Sequence, residues 1–265
     1  MRVLSVILAR AGSRGLKGKH LLPLLGRPVI SYTFDFARPL KERGPVVVSS
    51  DCPEVRAMGE AAGYYAIERP GRLATDSASV QDVMLHAMDA VEEATPFRAD
   101  ALLVLYGNVP ARGDDVAERA LRVLEETGCD SVRSFCPVGK WHPAWMARLV
   151  EDRVEALHPG PGIHRRQDLE SLYMHDGAVV AVSRKSMLRG KRTPSDPHAF
   201  FGVDRRAVET AVGETVEIDA LRDLYWAEAV LREAQDQPVR AGKIEPGTHG
   251  VPRAQGAGRR MRMAS

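Results

Sequence analysis

Short apolar runs alternate with longer amphipathic stretches along the first half of the chain. Val3 to Ala9 is a mostly apolar run of β-favouring residues, which is typical of a strand buried on both faces. Pro28 to Leu40 has helical spacing of apolar residues, with proline in its first turn. Repeated strand and helix signals predict an α/β fold with a doubly wound, mostly parallel sheet, Rossmann-like in class. Further strands are predicted at Val46 to Ser49, Tyr64 to Ile67, Ala101 to Leu105, Ala178 to Val182 and Thr215 to Ile218, and further helices at Pro53 to Ala62, Ser77 to Glu93, Asp114 to Glu126 and Leu221 to Ala234.

The alternation breaks down between about Trp141 and Met174, in a stretch rich in proline, histidine and arginine. An excursion of this length inside a compact domain usually has a function or a partner, so it predicts an inserted lid or dimerisation arm. We therefore place one domain at residues 1–236, with the arm at about 141–174, and a tail at 237–265. From Pro238 onward the tail carries six Lys or Arg residues against one acid. Its lack of bulky apolar groups predicts disorder.

Composition narrows the class of protein. Of 265 residues 44% are apolar and the net charge is +2, as in an ordinary globular protein. No apolar run approaches the roughly 20 residues of a membrane helix, and the chain opens on a strand instead of a signal peptide, so we expect a cytoplasmic protein without membrane contact. Cys52, Cys129 and Cys136 lack the spacing of a zinc site or disulfide framework. The basic tail has no interleaved stacking aromatics, so no nucleic-acid partner is expected.

The first strand leads into a glycine-rich basic loop, "ARAGSRGLKGKH". Its Gly-x-x-Gly-x-x-Gly spacing differs from the Gly-x-Gly-x-x-Gly of dinucleotide sites and from a P-loop, which needs Gly-Lys followed by Ser or Thr. A basic loop at the carboxyl end of a strand lies where open α/β sheets bind ligands, so it is suited to wrapping a triphosphate. Mutual repulsion among its cations also favours a bound anion. The cations are Arg10, Arg14, Lys17 and Lys19.

The longer stretch "ILARAGSRGLKGKHLLPLLGRPVI" resembles the signature of the acylneuraminate cytidylyltransferase family and the related enzymes that activate ulosonic acids with CTP. The resemblance runs over about Met1 to Ala234. It implies a nucleotidyltransferase fold and a homodimer whose arm reaches over the partner's site. In the loop it implies nucleotide contacts, with Arg10 and Lys19 also stabilising the reacting phosphates. The implied nucleotide-binding residues of the loop are Ala9, Arg10, Gly12, Ser13, Arg14, Gly15, Lys19 and His20.

Two later segments are similar to other motifs of the same family. "ERPGRLATDSASVQDVMLHAMD" implies that Arg69 faces the nucleotide, while Asp76 and Ser77 shape the pocket and start a helix. Helix capping alone would also explain Asp76 or Ser77. "HRRQDLESLYMHDGAVVAVSR" implies that Arg166 and Gln167 reach toward the acid sugar. It also implies that Asp176 lies beside that sugar, where the chain turns.

"TVEIDALRDLYWAEAVL" resembles the closing motif of the family and contains Glu217 and Asp219. Two acids separated by one apolar residue on a strand project from the same side, so they can share one hard cation. Mg²⁺ fits, because it takes oxygen ligands and binds through one or two carboxylates plus substrate phosphates. The alternative is that Asp219 caps the last helix and Glu217 is merely exposed.

The chain departs from the family pattern at several positions. His20 stands where the family usually has Asn, and "VLYGNVPAR" places Tyr106 where the family has a substrate-contacting Gln. The string "LYGNVP" is similar to that of other sugar nucleotidyltransferases, with Asn108 where those have an acid. Tyr106 and Asn108 are therefore expected near the acid sugar.

These motifs together imply transfer of CMP from CTP to the anomeric hydroxyl of an ulosonic acid, with Mg²⁺ as the cofactor. The general base is left open among a metal-bound hydroxide, a water and His20. The alternatives are a cytidylyl- or uridylyltransferase acting on a sugar phosphate, and a nucleotide-binding regulator without catalysis.

Overall fold

The computed structural model describes residues 1–12, 15–158, 162–193 and 195–240, with side chains described as far as residue 236. The predicted contacts of Ser13 and Arg14, and the predicted tail beyond residue 240, lie outside this range. The strands are β1 Val3–Leu8, β2 Pro23–Leu24, β3 Arg27–Pro28, β4 Val46–Ser50, β5 Tyr65–Glu68, β6 Ala101–Tyr106, β7 Ser131–Pro137, β8 Ala147–Val150, β9 Arg153–Ala156, β10 Tyr173–Ser183 and β11 Arg205–Glu209. The helices are α1 Val29–Ala37, α2 Pro53–Ala61, α3 Val80–Ala94, α4 Val116–Thr127, α5 Arg184–Lys191 and α6 Leu221–Arg240.

Seven of these strands form one sheet in the order β11-β7-β10-β6-β1-β4-β5. β1 pairs in parallel with both β4 and β6, and the pairs β4 with β5 and β11 with β7 are also parallel. Only β10 runs against its neighbours, β6 and β7, within this sheet. The sheet is thus mostly parallel, as the alternation of strands and helices predicted.

Apolar side chains on both faces of the sheet are buried beneath helices. Ile7 and Leu105 pack with Phe34 and Leu121, so α1 and α4 cover one face. On the other face, β1 and β6 side chains pack with Met84 of α3 and with α5, whose Met187 is fully buried. Burial on both faces explains why β1 and β6 are apolar almost throughout.

The order of the strands creates a crevice beside β1. The chain passes from β1 to β4 and β5 on one side, then crosses to β6 on the other, and Leu8 lies opposite Tyr106 at the carboxyl ends of β1 and β6. In open α/β sheets, ligands bind at such a reversal of strand order. The basic loop that follows β1 opens at this edge.

Some predicted elements need correction. Thr215 to Ile218 is not a strand of the sheet, because this segment makes only an isolated bridge between Val216 and Ala111. The predicted strand at Ala178 is longer and begins at Tyr173, with an irregularity between His175 and Val180. β7, β11 and α5 had no counterpart in the prediction. β11 is a charged edge strand, "RRAVE", whose polar pattern resembles a loop.

The predicted arm leaves the sheet between the end of β7 and the start of β10. It contains short 3-10 turns at Pro143–Trp145 and Arg166–Asp168 and the antiparallel hairpin of β8 and β9. All eight hairpin residues are exposed. The arm therefore projects from the domain that carries the sheet.

Candidate functional site

A cavity of about 300 Å³ lies at the crevice beside the carboxyl ends of β1 and β6. A larger cavity of about 840 Å³ lies between α1 and α6, but most of the predicted polar side chains line the smaller one. Convergent polar groups, and not size alone, identify a ligand site. The predicted site residues that line the smaller cavity are Arg10, Lys19, His20, Arg69, Asp76, Tyr106, Asn108, Glu217 and Asp219.

Carboxylates hold two of the predicted cations in place. Arg10 Nη2 lies 2.6 Å from Asp76 Oδ1, and Lys19 Nζ lies 2.7 Å from Asp219 Oδ1. The repulsion expected among the loop cations is thus relieved here by acids of the chain itself. Both pairs line the cavity, so an incoming phosphate would meet cations that are already positioned.

Arg69 is held in a different way. Its side chain is buried and donates through Nε to Ser49 Oγ at 3.2 Å and through Nη2 to the Ser49 carbonyl at 2.8 Å. Burial lowers the pKa of Arg69 to about 10, which still leaves the group charged at neutral pH. Anchoring to β4 therefore fixes a third cation in the cavity.

Asp51 is a residue that sequence reasoning missed. It follows β4 and accepts a hydrogen bond from the Ala11 amide at 2.7 Å, which ties down the start of the basic loop. Its charge also interacts favourably with Arg69. The sequence did contain a signal for Asp51, since it follows the predicted strand that becomes β4. The carboxyl ends of parallel strands share one edge of a sheet, so an acid at that position is expected near the loop after β1.

Close contact between backbones fixes the other side of the loop. A Cβ atom on Gly15 would lie 2.4 Å from the Asp219 carbonyl oxygen, so only glycine fits there. Gly12, by contrast, has nothing within 4 Å of a built Cβ. Ala9 is buried at the end of β1 and donates its amide to the Ser49 carbonyl. The predicted contacts of Ala9 and Gly12 with a nucleotide stay predictions.

His20 is buried, and its Nδ1 has no hydrogen-bond partner among the described residues. Burial lowers the pKa of His20 to about 4, and the positive charge of Lys19 acts in the same direction. The imidazole is therefore neutral near pH 7. A base this weak is poorly suited to accept the proton of a sugar hydroxyl.

Glu217 and Asp219 both reach the cavity although their segment is not a strand of the sheet. Val216 and Ile218, which alternate with the two acids, are buried, and their amides donate to the carbonyls of Ala111 and Asn108. This extended backbone turns the two acids to one side, as the prediction required. Asn108 Nδ2 donates to Glu217 Oε1 at 3.1 Å and so orients that carboxylate.

Asp219 does not cap the last helix, contrary to the alternative considered from the sequence. The Asp223 carboxylate accepts hydrogen bonds from the amides of Asp219 and Ala220 at 2.9 and 2.7 Å. This leaves the Asp219 side chain directed at Lys19. The acid four residues further on, in the first turn of α6, is thus a positioning residue for Asp219.

Tyr106 lines the cavity, and Arg112, which does not, binds its backbone carbonyl. Burial and the nearby charge of Glu217 raise the pKa of Tyr106 to about 12, so its phenol stays protonated. Burial lowers the pKa of Arg112 to about 9. Arg112 donates to the Tyr106 carbonyl at 2.9 Å and lies over the Phe36 ring. It therefore holds the backbone at the end of β6 in place.

Ser77 does not line the cavity, and α3 begins later than predicted. The N-cap of α3 is Ser79, whose Oγ accepts a hydrogen bond from the Asp82 amide at 3.0 Å. Ser77 Oγ lies 3.2 Å from Thr75 Oγ1 instead. The expectation that Ser77 starts the helix is therefore wrong, and the cap lies two residues further along.

Three of the predicted contacts with the acid sugar, Arg166, Gln167 and Asp176, lie outside this cavity within one chain, whereas Tyr106 and Asn108 line it. Arg166 lines a separate cavity of about 180 Å³ beneath the arm, and Gln167 lies in the adjoining turn. The Asp176 carboxylate is instead an internal acceptor. It receives hydrogen bonds from Ser134 at 2.5 Å, Thr210 at 2.5 Å, the Ala178 amide at 3.1 Å and Thr215 at 3.0 Å.

Burial by itself would raise the pKa of Asp176, but these hydrogen bonds lower it below its ordinary value. Because Thr215 begins the segment that carries Glu217 and Asp219, the Asp176 carboxylate anchors that segment to β10. The Asp176 carboxylate is therefore occupied by groups of the chain itself, and the predicted contact of Asp176 with a substrate does not fit this geometry.

Within the described residues, no cluster of three or more His, Cys, Asp or Glu side chains is arranged to bind a metal. Glu217 and Asp219 could therefore supply two carboxylates, and the remaining ligands of a cation would come from a bound substrate or water. No helix in the described part of the chain is long and apolar enough to cross a membrane.

Comparison with known proteins points to one family. The family model described as cytidylyltransferase matches residues 4–140. The N-acylneuraminate cytidylyltransferase of Streptococcus agalactiae serotype V is 27% identical over 84% of this chain and 52% of its own length. The CMP-N,N'-diacetyllegionaminic acid synthase of Legionella pneumophila is 26% identical over 90% of this chain and 100% of its own. The chain spans about half the length of the first curated relatives it matches.

A solved structure of CMP:2-keto-3-deoxy-manno-octonic acid synthetase in complex with CTP has a similar fold. Its TM-score is 0.67 at 22% identity, with coverage of 88% of this chain and 100% of that one. At this level of identity the likeness concerns the fold, and it agrees with the predicted doubly wound architecture.

Proposed function

The chain belongs to the cytidylyltransferase family, and from this premise we propose that it transfers CMP from CTP to the anomeric hydroxyl of a sialic-acid-like ulosonic acid. One observation carries the proposal: a single cavity at the reversal of strand order gathers Arg10, Lys19 and Arg69 together with Glu217 and Asp219. Cations suit a triphosphate, and paired carboxylates suit the divalent ion that accompanies it. The names of the relatives support the class of acceptor.

In the proposed reaction the anomeric oxygen forms a bond to the α-phosphorus, and the bond from that phosphorus to the departing pyrophosphate breaks. Lys19 and Arg10 offset the charge that develops on the phosphate oxygens. Arg69, held on β4, keeps the nucleotide in register. The hydroxyl proton leaves to water in this scheme, because the buried His20 is too weak a base.

We propose Mg²⁺ as the cofactor, held by Glu217 and Asp219. Both carboxylates line the cavity; the Asn108 side-chain amide orients the Glu217 carboxylate, and the Asp223 carboxylate holds the backbone amide of Asp219. When bound, the ion neutralises phosphate charge and polarises the reacting phosphoryl group. Lys19, which pairs with Asp219 in the structure, would be released toward a phosphate when Asp219 takes up this role.

The experiment is pyrophosphate release measured with each nucleoside triphosphate against sialic-type acids and against sugar phosphates. Turnover with CTP and an ulosonic acid is expected. Activity confined to sugar phosphates would overturn the proposal and favour the alternative acceptor class that "LYGNVP" resembles. Binding of CTP without any turnover would favour a nucleotide-binding regulator.

Glu217→Gln and Asp219→Asn should each lower kcat by roughly 100-fold or more, because each removes a charge that positions the cation on the transferring phosphate. Glu126→Gln changes an exposed acid at the end of α4 and is the matched control, with kcat expected to stay at the wild-type level. Equal loss in all three variants would contradict the assignment.

We further propose that the protein is a cytoplasmic homodimer in which the arm contacts the second subunit. The cross-strand pair Leu149 and Val154 is 75% and 73% exposed, and Trp141 is 67% exposed. Apolar side chains clustered on a projecting hairpin mark a surface for protein contact. Arg166, on the same arm, would then approach a site that it does not reach within its own chain.

A further inference from the structure

Another cavity, of about 400 Å³, lies where β7, β10 and the edge strand β11 meet. Its volume is in the range of small-molecule sites, about 300–1,000 Å³. The register places Ala207 of β11 opposite Arg133 of β7, and Glu209 opposite Phe135, so these side chains share one face of the sheet. Aromatic walls and arginines therefore face the same space.

Arg133 is the unusual member of this lining. Its guanidinium carbon lies 4.9 Å from the Phe135 ring centroid and 4.5 Å from that of Phe201. Its Nε is buried without a hydrogen-bond partner among the described residues. A buried N–H with no acceptor is costly, and a bound anion that accepted its hydrogen bond would remove that cost.

The neighbouring charges make an anion more favourable still. Arg205 also lines the cavity, its Nε donating to the Gly202 carbonyl, and its charge acts with burial to lower the pKa of Arg133. Arg206 is already committed to Asp204 through two contacts of 3.2 Å. Glu209 is the acid in the lining, so the cavity carries excess positive charge.

Tyr106 connects this cavity with the candidate nucleotide site. Its side chain lines the nucleotide cavity. Val180 of β10 lies opposite both Val104 of β6 and Arg133 of β7, so Arg133 faces the same side of the sheet as Tyr106, two residues beyond Val104. The arginine cavity therefore lies on the same face of the sheet as Tyr106, with β10 between them. A ligand held there would present its reactive end to a phosphate bound near Glu217.

We propose that Arg133, with Arg205 beside it, binds the carboxylate of the acceptor sugar acid and so selects an acidic acceptor. The inference rests on the proposed function, because an ulosonic acid carries its carboxylate on the anomeric carbon that bears the attacking hydroxyl. The planar fork of arginine matches a carboxylate through two parallel hydrogen bonds. Phe135 and Tyr173 provide apolar walls for the sugar ring.

The test compares an ulosonic acid with its primary amide, which has nearly the same shape and no charge. The wild-type enzyme is expected to prefer the acid in kcat/KM. Arg133→Gln should reduce that preference by roughly 10- to 100-fold through a higher KM for the acid, since one charge-assisted interaction is lost. Arg133→Lys should restore part of the preference, because it keeps the charge without the planar fork.

Arg206→Gln is the matched control. It removes an arginine of the same cavity whose guanidinium is already paired with Asp204. Its ratio of acid to amide should stay within about 3-fold of the wild type, since exposed ion pairs contribute little. Unchanged CTP affinity in Arg133→Gln, measured by calorimetry, separates a local effect from misfolding. An unchanged acid-to-amide ratio in an Arg133→Gln enzyme that still uses the acid overturns the inference and leaves the proposed function standing. A wild-type enzyme that uses no sugar acid overturns both.

Discussion

At the scale of single residues, the structure shows how a cluster of cations is kept in place before any phosphate arrives. Lys19 pairs with Asp219 and Arg10 with Asp76, while Arg69 is bound to the backbone of β4. The types of these residues could be predicted from the motif. Their partners could not, because Asp219 lies 200 positions from Lys19 along the chain.

His20 shows how burial changes the meaning of a residue. The pKa of His20 is lowered to about 4 from 6.5, so unfolding at acidic pH releases a histidine that takes up a proton. Its contribution to stability is fully present above about pH 6.5 and is lost as the pH falls toward 4. When the pH is lowered from 7 to 4.5, the unfolding free energy of the wild type should therefore fall by about 2 to 3 kcal/mol more than that of His20→Gln.

Urea unfolding at the two pH values measures this difference. His158→Gln, which changes an exposed histidine, is the control and should follow the wild type. If His20→Gln lost as much stability as the wild type on acidification, His20 would not be a neutral buried group.

The contact between Gly15 and the Asp219 backbone gives a second prediction at this scale. Gly15→Ala should lower kcat by roughly 10-fold or more, because the added Cβ must displace Asp219 from its position beside Lys19. Gly71→Ala adds the same methyl group outside the lining of the cavity, with nothing within 4 Å, so its kcat should stay within about 2-fold of the wild type. Steady-state kinetics with both variants decide the matter, and equal effects would contradict the role of the close contact.

At the scale of elements, the two segments that complete the cavity differ from their predicted form. The segment with Glu217 and Asp219 is extended but forms only an isolated bridge with Ala111, which lies outside the strands of the sheet, and hydrogen bonds from Asn108 and to Asp176 hold it instead. Alternating burial survives because Val216 and Ile218 enter the core beneath α6. The alternation of apolar and acidic residues in this segment thus predicted the direction of its side chains correctly, although it did not predict that the segment lies outside the sheet.

The start of α3 provides the prediction for this scale. Ser79→Ala should lower the unfolding free energy by about 1 kcal/mol, the usual cost of losing an N-cap hydrogen bond. Ser77→Ala, at the position first expected to start the helix, should change it by less than about 0.5 kcal/mol. Denaturant unfolding of both variants tests the assignment, and the reverse order of effects would restore Ser77 as the cap.

At the scale of the whole molecule, one edge of the sheet carries the residues of the candidate site, and the arm projects away from the sheet. The carboxyl ends of β1, β4 and β6 bring the basic loop, Asp51 and Asn108 to one edge. The hairpin of β8 and β9 places Ala147, Leu149, Val154 and Ala156 on one exposed face. Exposure of these apolar side chains to water is unfavourable in free energy, and contact with a second subunit would remove that exposure.

The double variant Leu149→Ser with Val154→Ser should therefore shift the protein from dimer toward monomer. Sedimentation velocity over a range of concentrations measures the shift. Tyr65→Ser, which removes an exposed side chain of the edge strand β5 at the other end of the sheet, should leave the dimer intact. A wild-type protein that sediments as a monomer would overturn the proposed homodimer.

The sequence by itself determined the class of the fold, the excursion that forms the arm and the residue types of the loop. These features depend on periodicity and local spacing, which the chain displays directly. It also predicted that Glu217 and Asp219 project from the same side, because alternation along an extended segment is a local property.

Only the tertiary structure decided which partners these residues have. Strand order placed Lys19 beside Asp219, Asp51 next to the start of the loop and Arg133 on the same face of the sheet as Tyr106, none of which are neighbours in sequence. It also separated Arg166 from the cavity and buried His20 deeply enough to keep it neutral. Charge, burial and hydrogen bonding depend on contacts between distant segments, so these properties arise only once the sheet has brought its carboxyl edge together.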